Sequence, residues 1–293
     1  MYSLSSFLYR LKKRLSLAYR ILRIHYFQPA TALFRVFELE VVLENLKGEG
    51  KGLDLGCGDG SLSSIIFPHF PQVKWTGLDI DPVDTELARK SDLYEKVHTV
   101  SGTRIPEPGD TFDLIFSNSV LEHVDDLDGV LDEAVRVLKP GGSFIFTVPH
   151  DLFHYSLFWP KVLRFFNFQK TADKYLSHLD ARSMHLNYLS IDEWKRKLSS
   201  KGLRLSTEIQ YLSKRACGWW ETLSNSTGGV VYVLSRKRVR PRQFQQRSGI
   251  LKMPCPWIGT ILFVLMLPVF LLTFSEKVPR EPACIYIEAF KPR

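Results

Sequence analysis

Five residues carry the most legible chemistry in this chain. Asp54, Gly56, Gly58 and Gly60 lie in Leu53-Asp-Leu-Gly-Cys-Gly-Asp-Gly60, and Asp79 follows 23 positions after Gly56. Glycines at alternate positions let the backbone take positive φ and approach a ligand without a Cβ in the way. Two ligand classes use such a turn. A dinucleotide brings a pyrophosphate to a G-x-G-x-x-G loop, but here the spacing is G-x-G-x-G with carboxylates at Asp54 and Asp59. Those charges oppose a pyrophosphate and attract an ammonium and a sulfonium, the charge pattern of S-adenosylmethionine. Asp79 sits near the roughly 20-residue offset at which an acid meets a ribose diol. Its alternative role is that of a helix N-terminal acid ahead of Asp81-Pro82.

Elements that would position these residues follow from the pattern around them. Leu53 and Leu55 fit a short buried strand, and Ser61 is placed to cap the helix after the turn. Further strands are expected at 73–79, 96–100, 112–116 and 143–148, with a helix over 126–138 before Lys139-Pro-Gly-Gly142. Short apolar strands alternating with helices imply a parallel sheet covered on both faces, whose ligands sit at the carboxyl ends of the strands.

In order and spacing, LDLGCGDG, GLDIDP, FDLIFSNSVLEHV and VLKPGGSFIFTVP resemble the class I S-adenosylmethionine-dependent methyltransferases, in particular the small-molecule group with ubiquinone- and sugar-type O-methyltransferases. The motifs cover 50–150, and His185-Leu-Asn-Tyr-Leu-Ser190, leading into a helix over 192–201, extends the likeness to about residue 211. The resemblance implies an α/β fold with a doubly wound, mostly parallel, seven-stranded Rossmann-like sheet. It also implies S-adenosyl-L-methionine as cofactor, with Asp54, Gly56 and Gly58 around the methionine part, Asp79 on the ribose and Asn118 beside the cofactor. Cys57 and Ile80, inside the same motifs, complete the expected contact set. Thr103 departs from the pattern, because this group usually carries an acid after the glycine that follows the third strand. A threonine hydroxyl can accept one hydrogen bond from the adenine amino group, and it can equally be a plain turn residue. In the helix expected over 28–40, Arg35 either reaches the cofactor carboxylate or pairs with Glu38 three residues on.

A sulfonium is a strong electrophile, so methyl transfer asks the protein to align an acceptor and, for a hydroxyl, to remove its proton. His123, in Leu121-Glu-His-Val124, is the candidate base, or else a residue that only holds the loop. His185 is placed near the mouth of the site, with a structural hydrogen bond as the alternative. His150, Asp151, His154, Tyr155, His178 and Tyr188 also fall in the expected acceptor lid. No metal is expected, since His150 and His154 have no Glu-x-x-His or third ligand at metal spacing.

With 293 residues and 45% hydrophobic content, the chain can build one large domain with insertions. Cysteines at 57, 217, 255 and 284 show no paired spacing, as expected of reduced thiols in a cytoplasmic setting. The first 25 residues lack the continuous apolar core of a signal peptide. Instead Leu4, Leu8, Leu11, Leu15, Ala18 and Leu22 share a helical face. Arg10, Lys12, Lys13, Arg14, Arg20 and Arg23 supply six charges with no acid before Glu38. That is a basic amphipathic helix suited to an anionic membrane or packed on the protein's own body. A second basic run covers 236–242, and residues 257–274 carry no charge. Residues 283–290 read as the antiparallel last strand. If that strand joins the sheet, a single crossing at 257–274 would strand it across the bilayer, so a shallow insertion broken at Pro268 is expected. The rival reading takes 230–234 as the last strand and 257–274 as a single-pass anchor, and a third takes 257–274 as a wholly buried helix of a soluble domain.

The expected organisation is a basic helix at 1–27, a catalytic core at 28–211 with a lid at about 151–190, a basic and apolar insertion at 212–282, and a last strand at 283–293. The expected function is O-methylation of a small amphiphilic or lipid-linked acceptor by a peripheral or monotopic protein. The alternatives are an RNA methyltransferase and a weakly catalytic, methyltransferase-like membrane adaptor. The net charge of +8 favours phosphate. Even so, nucleic acid is not expected as a partner, because the cations accompany apolar faces and Asn118-Ser-Val-Leu lacks the Pro-Pro-aromatic motif of base methylation.

Overall fold

The computed structural model describes residues 4–24, 29–236, 243–244, 256–275 and 282–293. The basic run at 236–242 therefore lies outside the described residues apart from Arg236. Two compact units emerge, each built from separate stretches of chain: residues 41–151, 185–210 and 284–293 form a sheet unit, and residues 1–40, 152–184 and 211–283 a helical unit.

The sheet unit holds seven strands: β1 (Gly50–Leu55), β2 (Val73–Asp79), β3 (Lys96–Thr99), β4 (Phe112–Asn118), β5 (Leu138–Pro149), β6 (Arg204–Tyr211) and β7 (Cys284–Phe290). Their order is β3-β2-β1-β4-β5-β7-β6. The strands from β3 to β5 pair in parallel, and β7 runs antiparallel to β5 from Ser143↔Phe290 to Pro149↔Cys284. This is the doubly wound, Rossmann-like architecture expected, with 284–290 as the last strand. Residues 230–234, the rival strand, are helical. A valine-rich run favours a strand only where it finds an edge to pair with.

Apolar strand runs and helix stripes meet in one core. Leu53, Leu55, Ile115, Phe144, Phe146, Ile285 and Ile287 from the strands pack with Leu131, Ala134 and Val137 of helix 127–137 and with Trp194 and Leu198 of helix 191–200. The Trp194 ring lies 4.8 Å from that of Phe146. Polar caps fix where these helices start. The Asp126 carboxylate accepts from Gly129 N–H, and Ser190 and Glu193 form a reciprocal capping box. Before the short helix 82–89, Asp81 accepts from the Val83 and Asp84 N–H groups, with Pro82 at the first helical position.

Ser61 does not cap the helix after β1. That helix is a single turn, Ser63–Ile66, with Leu62 at its start and no side-chain cap. The Ser61 N–H instead donates to Asp59 Oδ1 at 3.0 Å, because an acid two residues back forms a tighter local ring.

In the helical unit, α1 (Leu4–Ile24) and α2 (Pro29–Asn45, to residue 40) accompany the shorter helices 159–165, 169–183 and 214–224, and the apolar helix Pro256–Phe274. Buried Glu221 joins three of these pieces by accepting from the Phe158 and Trp159 N–H groups and the Tyr175 hydroxyl. The apolar helix, α3 below, continues through Pro268. The expected break there does not occur. Proline removes one backbone hydrogen bond but leaves the rest of the ladder, and packing can hold such a helix together.

Candidate active site

The loop after β1 is built as its glycines require. Gly56, Gly58 and Gly60 have φ of 84°, 53° and 76°. A Cβ on Gly56 would stand 2.4 Å from Val120 Cγ2, so the turn after β4 closes directly over this glycine. The Gly56 and Cys57 N–H groups both donate to Leu78 O, tying the loop to β2. At the end of β2, Asp79 accepts from Gly58 N–H at 2.9 Å and from Asp81 N–H at 2.9 Å. One carboxylate thus braces both the glycine loop and the next helix start. Ile80 beside it is 71% exposed, an apolar surface free to lie along a flat ring.

Asp54 is tied into the protein around the loop. It is buried, and one carboxylate oxygen accepts from both Ser63 Oγ and Tyr94 Oη at 2.7 Å. Burial raises its pKa from 3.8 to about 6, against the lowering effect of those two hydroxyls. Asp54 therefore acts through the loop it supports. Ser63 and Tyr94 were invisible to sequence reasoning, since no spacing rule links a strand acid to a tyrosine 40 residues on. The Cys57 thiol, also buried, has its pKa raised by desolvation and the nearby carboxylates, which makes it an inert wall of the loop.

The folded pKa of Asp54 lies above the unfolded value. Below about pH 4 both states hold the proton, and between about pH 4 and 6 only the folded state keeps it, so stability falls as pH rises through that window. The drop from this group is roughly 3 kcal/mol at most. Asp54→Asn should remove it. Denaturant unfolding of both proteins at pH 4 and pH 7 checks this, and a wild-type-minus-variant difference that does not change with pH refutes it.

Beyond β4 the chain turns sharply. Ser119 adopts φ of 53°, and its N–H donates to Thr147 O and Oγ1, while Thr147 Oγ1 donates to Asn118 Oδ1 at 3.1 Å. Asn118 is thus fixed at the carboxyl end of β4. Thr103 Oγ1 lies 2.9 Å from Ser101 Oγ within the turn after β3. Arg35 belongs to the helical unit and forms the ion pair with Glu38, which is the alternative to a cofactor contact. His150 pairs with Asp151, and His154 with Asp180 at 2.9 Å.

His123 and His185, 62 positions apart in sequence, come together with ring centroids 5.1 Å apart. Glu122 is buried beside them, its Oε1 3.8 Å from His123 Nε2, and His185 Nδ1 is 2.8 Å from Tyr188 Oη. The residue that places His185 is Asn187. Its Nδ2 donates to Leu121 O at 2.9 Å and Val124 O at 2.7 Å, while the Leu186 and Asn187 N–H groups donate to Glu122 O.

The sheet order and this loop, with its acid at the end of β2, are those expected of a class I S-adenosylmethionine-dependent methyltransferase domain. Residues 53–146 match the family described as "Methyltransferase domain". Among curated proteins, the chain is 26% identical over 204 residues to the mitochondrial ubiquinone biosynthesis O-methyltransferase of Homo sapiens, covering 65% of this chain and 51% of that one. It is 32% identical over 100 residues to a ubiquinone/menaquinone biosynthesis C-methyltransferase of Desulfotalea psychrophila, covering 33% of this chain and 41% of the relative. The chain thus spans about half the length, or less, of these relatives. A solved geranyl diphosphate C-methyltransferase from Streptomyces coelicolor A3(2) shares the fold with a TM-score of 0.53 at 14% identity, over 87% of this chain and 75% of that one. The [4+2]-cyclase SpnF does so with a TM-score of 0.52 at 17% identity, over 89% and 82%.

Proposed function

We propose that this protein transfers the methyl group of S-adenosylmethionine to an oxygen of a small amphiphilic, lipid-linked acceptor at a membrane surface. The bracing of the Gly56–Gly60 loop by Asp79 supports the cofactor half of this reading. Asp79 offers its carboxylate to the ribose, Gly56 and Gly58 leave room for the methionine part, Asn118 borders it, and Ile80 and Thr103 border the adenine. The acceptor is aligned with the sulfonium methyl, and the His123–His185 pair handles the acceptor proton. The name of the human relative, an O-methyltransferase of ubiquinone biosynthesis, fits both an oxygen and a lipid-like acceptor.

The observation that carries the membrane half is the pairing of α1 with α3. α3 has a mean hydropathy of 2.4 over 18 residues, of which 28% are buried, and Trp257, Ile261, Val264, Leu265, Leu271 and Leu272 are exposed. α1 turns Leu17, Ala18, Ile21 and Leu22 inward and leaves Leu4, Phe7 and Leu8 exposed among its cations. Exposed basic side chains such as its Lys12, Arg20 and Arg23 add about 1 kcal/mol each near an anionic surface. At 19 residues, α3 is about 28 Å long, just short of a hydrocarbon core. However, β6 before it and β7 after it are neighbours in one sheet, so the chain between them must return to the side it left. That parity favours a helix lying in the interface over a single span. In the helical unit, a cavity of about 360 Å³ lined by Leu179, Val230, Tyr232, Val233 and Arg182 offers apolar walls with one cation, a shape suited to an acyl chain and an anionic head.

Flotation with anionic liposomes carrying a membrane lipid extract and methyl-labelled S-adenosylmethionine tests both halves. The protein should rise with the vesicles at low salt, and label should accumulate in the lipid. Protein left at the bottom defeats the membrane reading, and label confined to the aqueous phase defeats the acceptor class.

A further inference from the structure

The His123–His185 pair lies beside a buried carboxylate. One donor atom each from Glu122, His123 and His185 falls within 4.8 Å of the others. We propose that these three residues form a binding site for a first-row divalent cation, zinc foremost, which presents an open coordination position to an acceptor oxygen.

The site is assembled by backbone as well as by its donors. Residues 121–123 form one tight turn after β4, and four hydrogen bonds from Leu186 and Asn187 hold the 185–188 segment against that turn: Leu186 N–H and Asn187 N–H to Glu122 O at 2.7 and 3.1 Å, and Asn187 Nδ2 to Leu121 O and Val124 O at 2.9 and 2.7 Å. A tetrahedral zinc with bonds of about 2.0–2.2 Å sets its ligands about 3.4 Å apart. Glu122 Oε1 and His123 Nε2 already stand at 3.8 Å, so rotation of the side chains by roughly an ångström closes the set. The 2.8 Å contact between His185 Nδ1 and Tyr188 Oη orients the ring, as a hydrogen bond to the non-ligating nitrogen does for a metal-bound imidazole, and Nε2 is the nitrogen assigned here as ligand.

The donor chemistry selects the ion. Two imidazoles and one carboxylate suit zinc and its first-row neighbours, whereas magnesium prefers oxygen ligands throughout. Three protein ligands also leave a position for an outside oxygen, as in catalytic rather than structural zinc sites. Glu122 is buried while His123 and His185 are half-exposed, so the open side is the side a small molecule can reach.

Cation binding stands independently of the methyltransferase reading, whereas its consequence for catalysis rests on that reading. With both imidazoles as ligands, the cation takes over the part given above to the histidine pair: a hydroxyl bound to it releases its proton to water more readily than a free one. The oxygen then forms the O–CH3 bond as the S–CH3 bond breaks. That bond's electron pair returns to sulfur, and the sulfonium becomes the neutral thioether of S-adenosylhomocysteine.

The test uses the full chain stripped with a chelator. It is titrated with Zn²⁺ by calorimetry and with Co²⁺ by visible absorption, and with S-adenosylhomocysteine in parallel. One equivalent should bind with the visible bands of a nitrogen- and oxygen-ligated cobalt. Glu122→Gln and His185→Gln should each weaken binding by about 100-fold, with S-adenosylhomocysteine affinity unchanged within about threefold. Absence of stoichiometric binding in the wild type, or equal binding in both variants, overturns the site. Metal binding without S-adenosylhomocysteine binding would keep the site and remove the methyltransferase reading. The reverse result would do the opposite.

Discussion

Asp79→Ala is expected to weaken S-adenosylhomocysteine binding by about 100-fold in calorimetric titration. The carboxylate accepts from the Gly58 and Asp81 N–H groups, each at 2.9 Å, and so stands at the hinge of the cofactor loop. In the proposed complex it also accepts from the ribose hydroxyls. Hydrogen bonds to a charged group contribute about 1.5–3 kcal/mol each, and losing the ribose bonds alone corresponds to roughly two orders of magnitude. Asp79→Asn keeps one acceptor oxygen and should fall between wild type and alanine. Wild-type affinity in Asp79→Ala would remove the acid from the cofactor site.

The second large effect is on stability. Arg14 is buried in α1. Its guanidinium donates to Glu40 Oε2 through Nε at 2.9 Å, with Nη2 at 2.7 Å from the same oxygen, and through Nη1 to the Phe274 carbonyl at 2.7 Å. One side chain thus ties α1 to the last residue of α2 in the helical unit and to the end of α3. Both partners expose only 7% of their side chains, so truncating Arg14 leaves a buried carboxylate with only the more distant Arg10, its Nε 3.9 Å from Oε1, in a poor solvent for charge. Removing one partner of such a pair costs about 3–5 kcal/mol. Arg14→Ala should lower the apparent melting temperature by about 10 °C. Arg14→Met combined with Glu40→Leu should recover most of that loss, because the pair as a whole repays little beyond its own desolvation. An Arg14→Ala protein that melts with the wild type would show the pair to be dispensable.

Much of the sheet was legible because its strands are continuous apolar runs bounded by Gly, Pro and Asp. β2 falls on 73–79 as expected, and 284–290 was readable as the last strand from the likeness to a family whose sheet closes with one. The misreadings share a cause, which is that sequence shows type and spacing while tertiary packing sets environment. The environment of Asp54 could not be read at all: burial raises its pKa to about 6, and its partners lie 9 and 40 residues away. Pro268 read as a break, yet a neighbouring helix holds the turns on either side together. The proposed grouping of Glu122, His123 and His185 was not legible in the sequence, because two of them are adjacent and the third, 62 positions on, is held beside them by Asn187, whose side chain carries no signature of that role.

Where α1 meets α3, the contact is unusually close. A Cβ on Gly259 would stand 2.3 Å from Leu22 O and 2.8 Å from Arg23 Cα, so backbone rests on backbone, with Tyr19 and Phe263 edge to face at 5.4 Å alongside. Attraction of this kind comes from dispersion between closely fitted atoms, and it does not depend on water being driven out. The pair therefore keeps its fit when the surrounding solvent changes from water to lipid tails. In the proposed membrane-bound state, a bilayer would meet a finished two-helix wedge rather than one that must assemble on arrival.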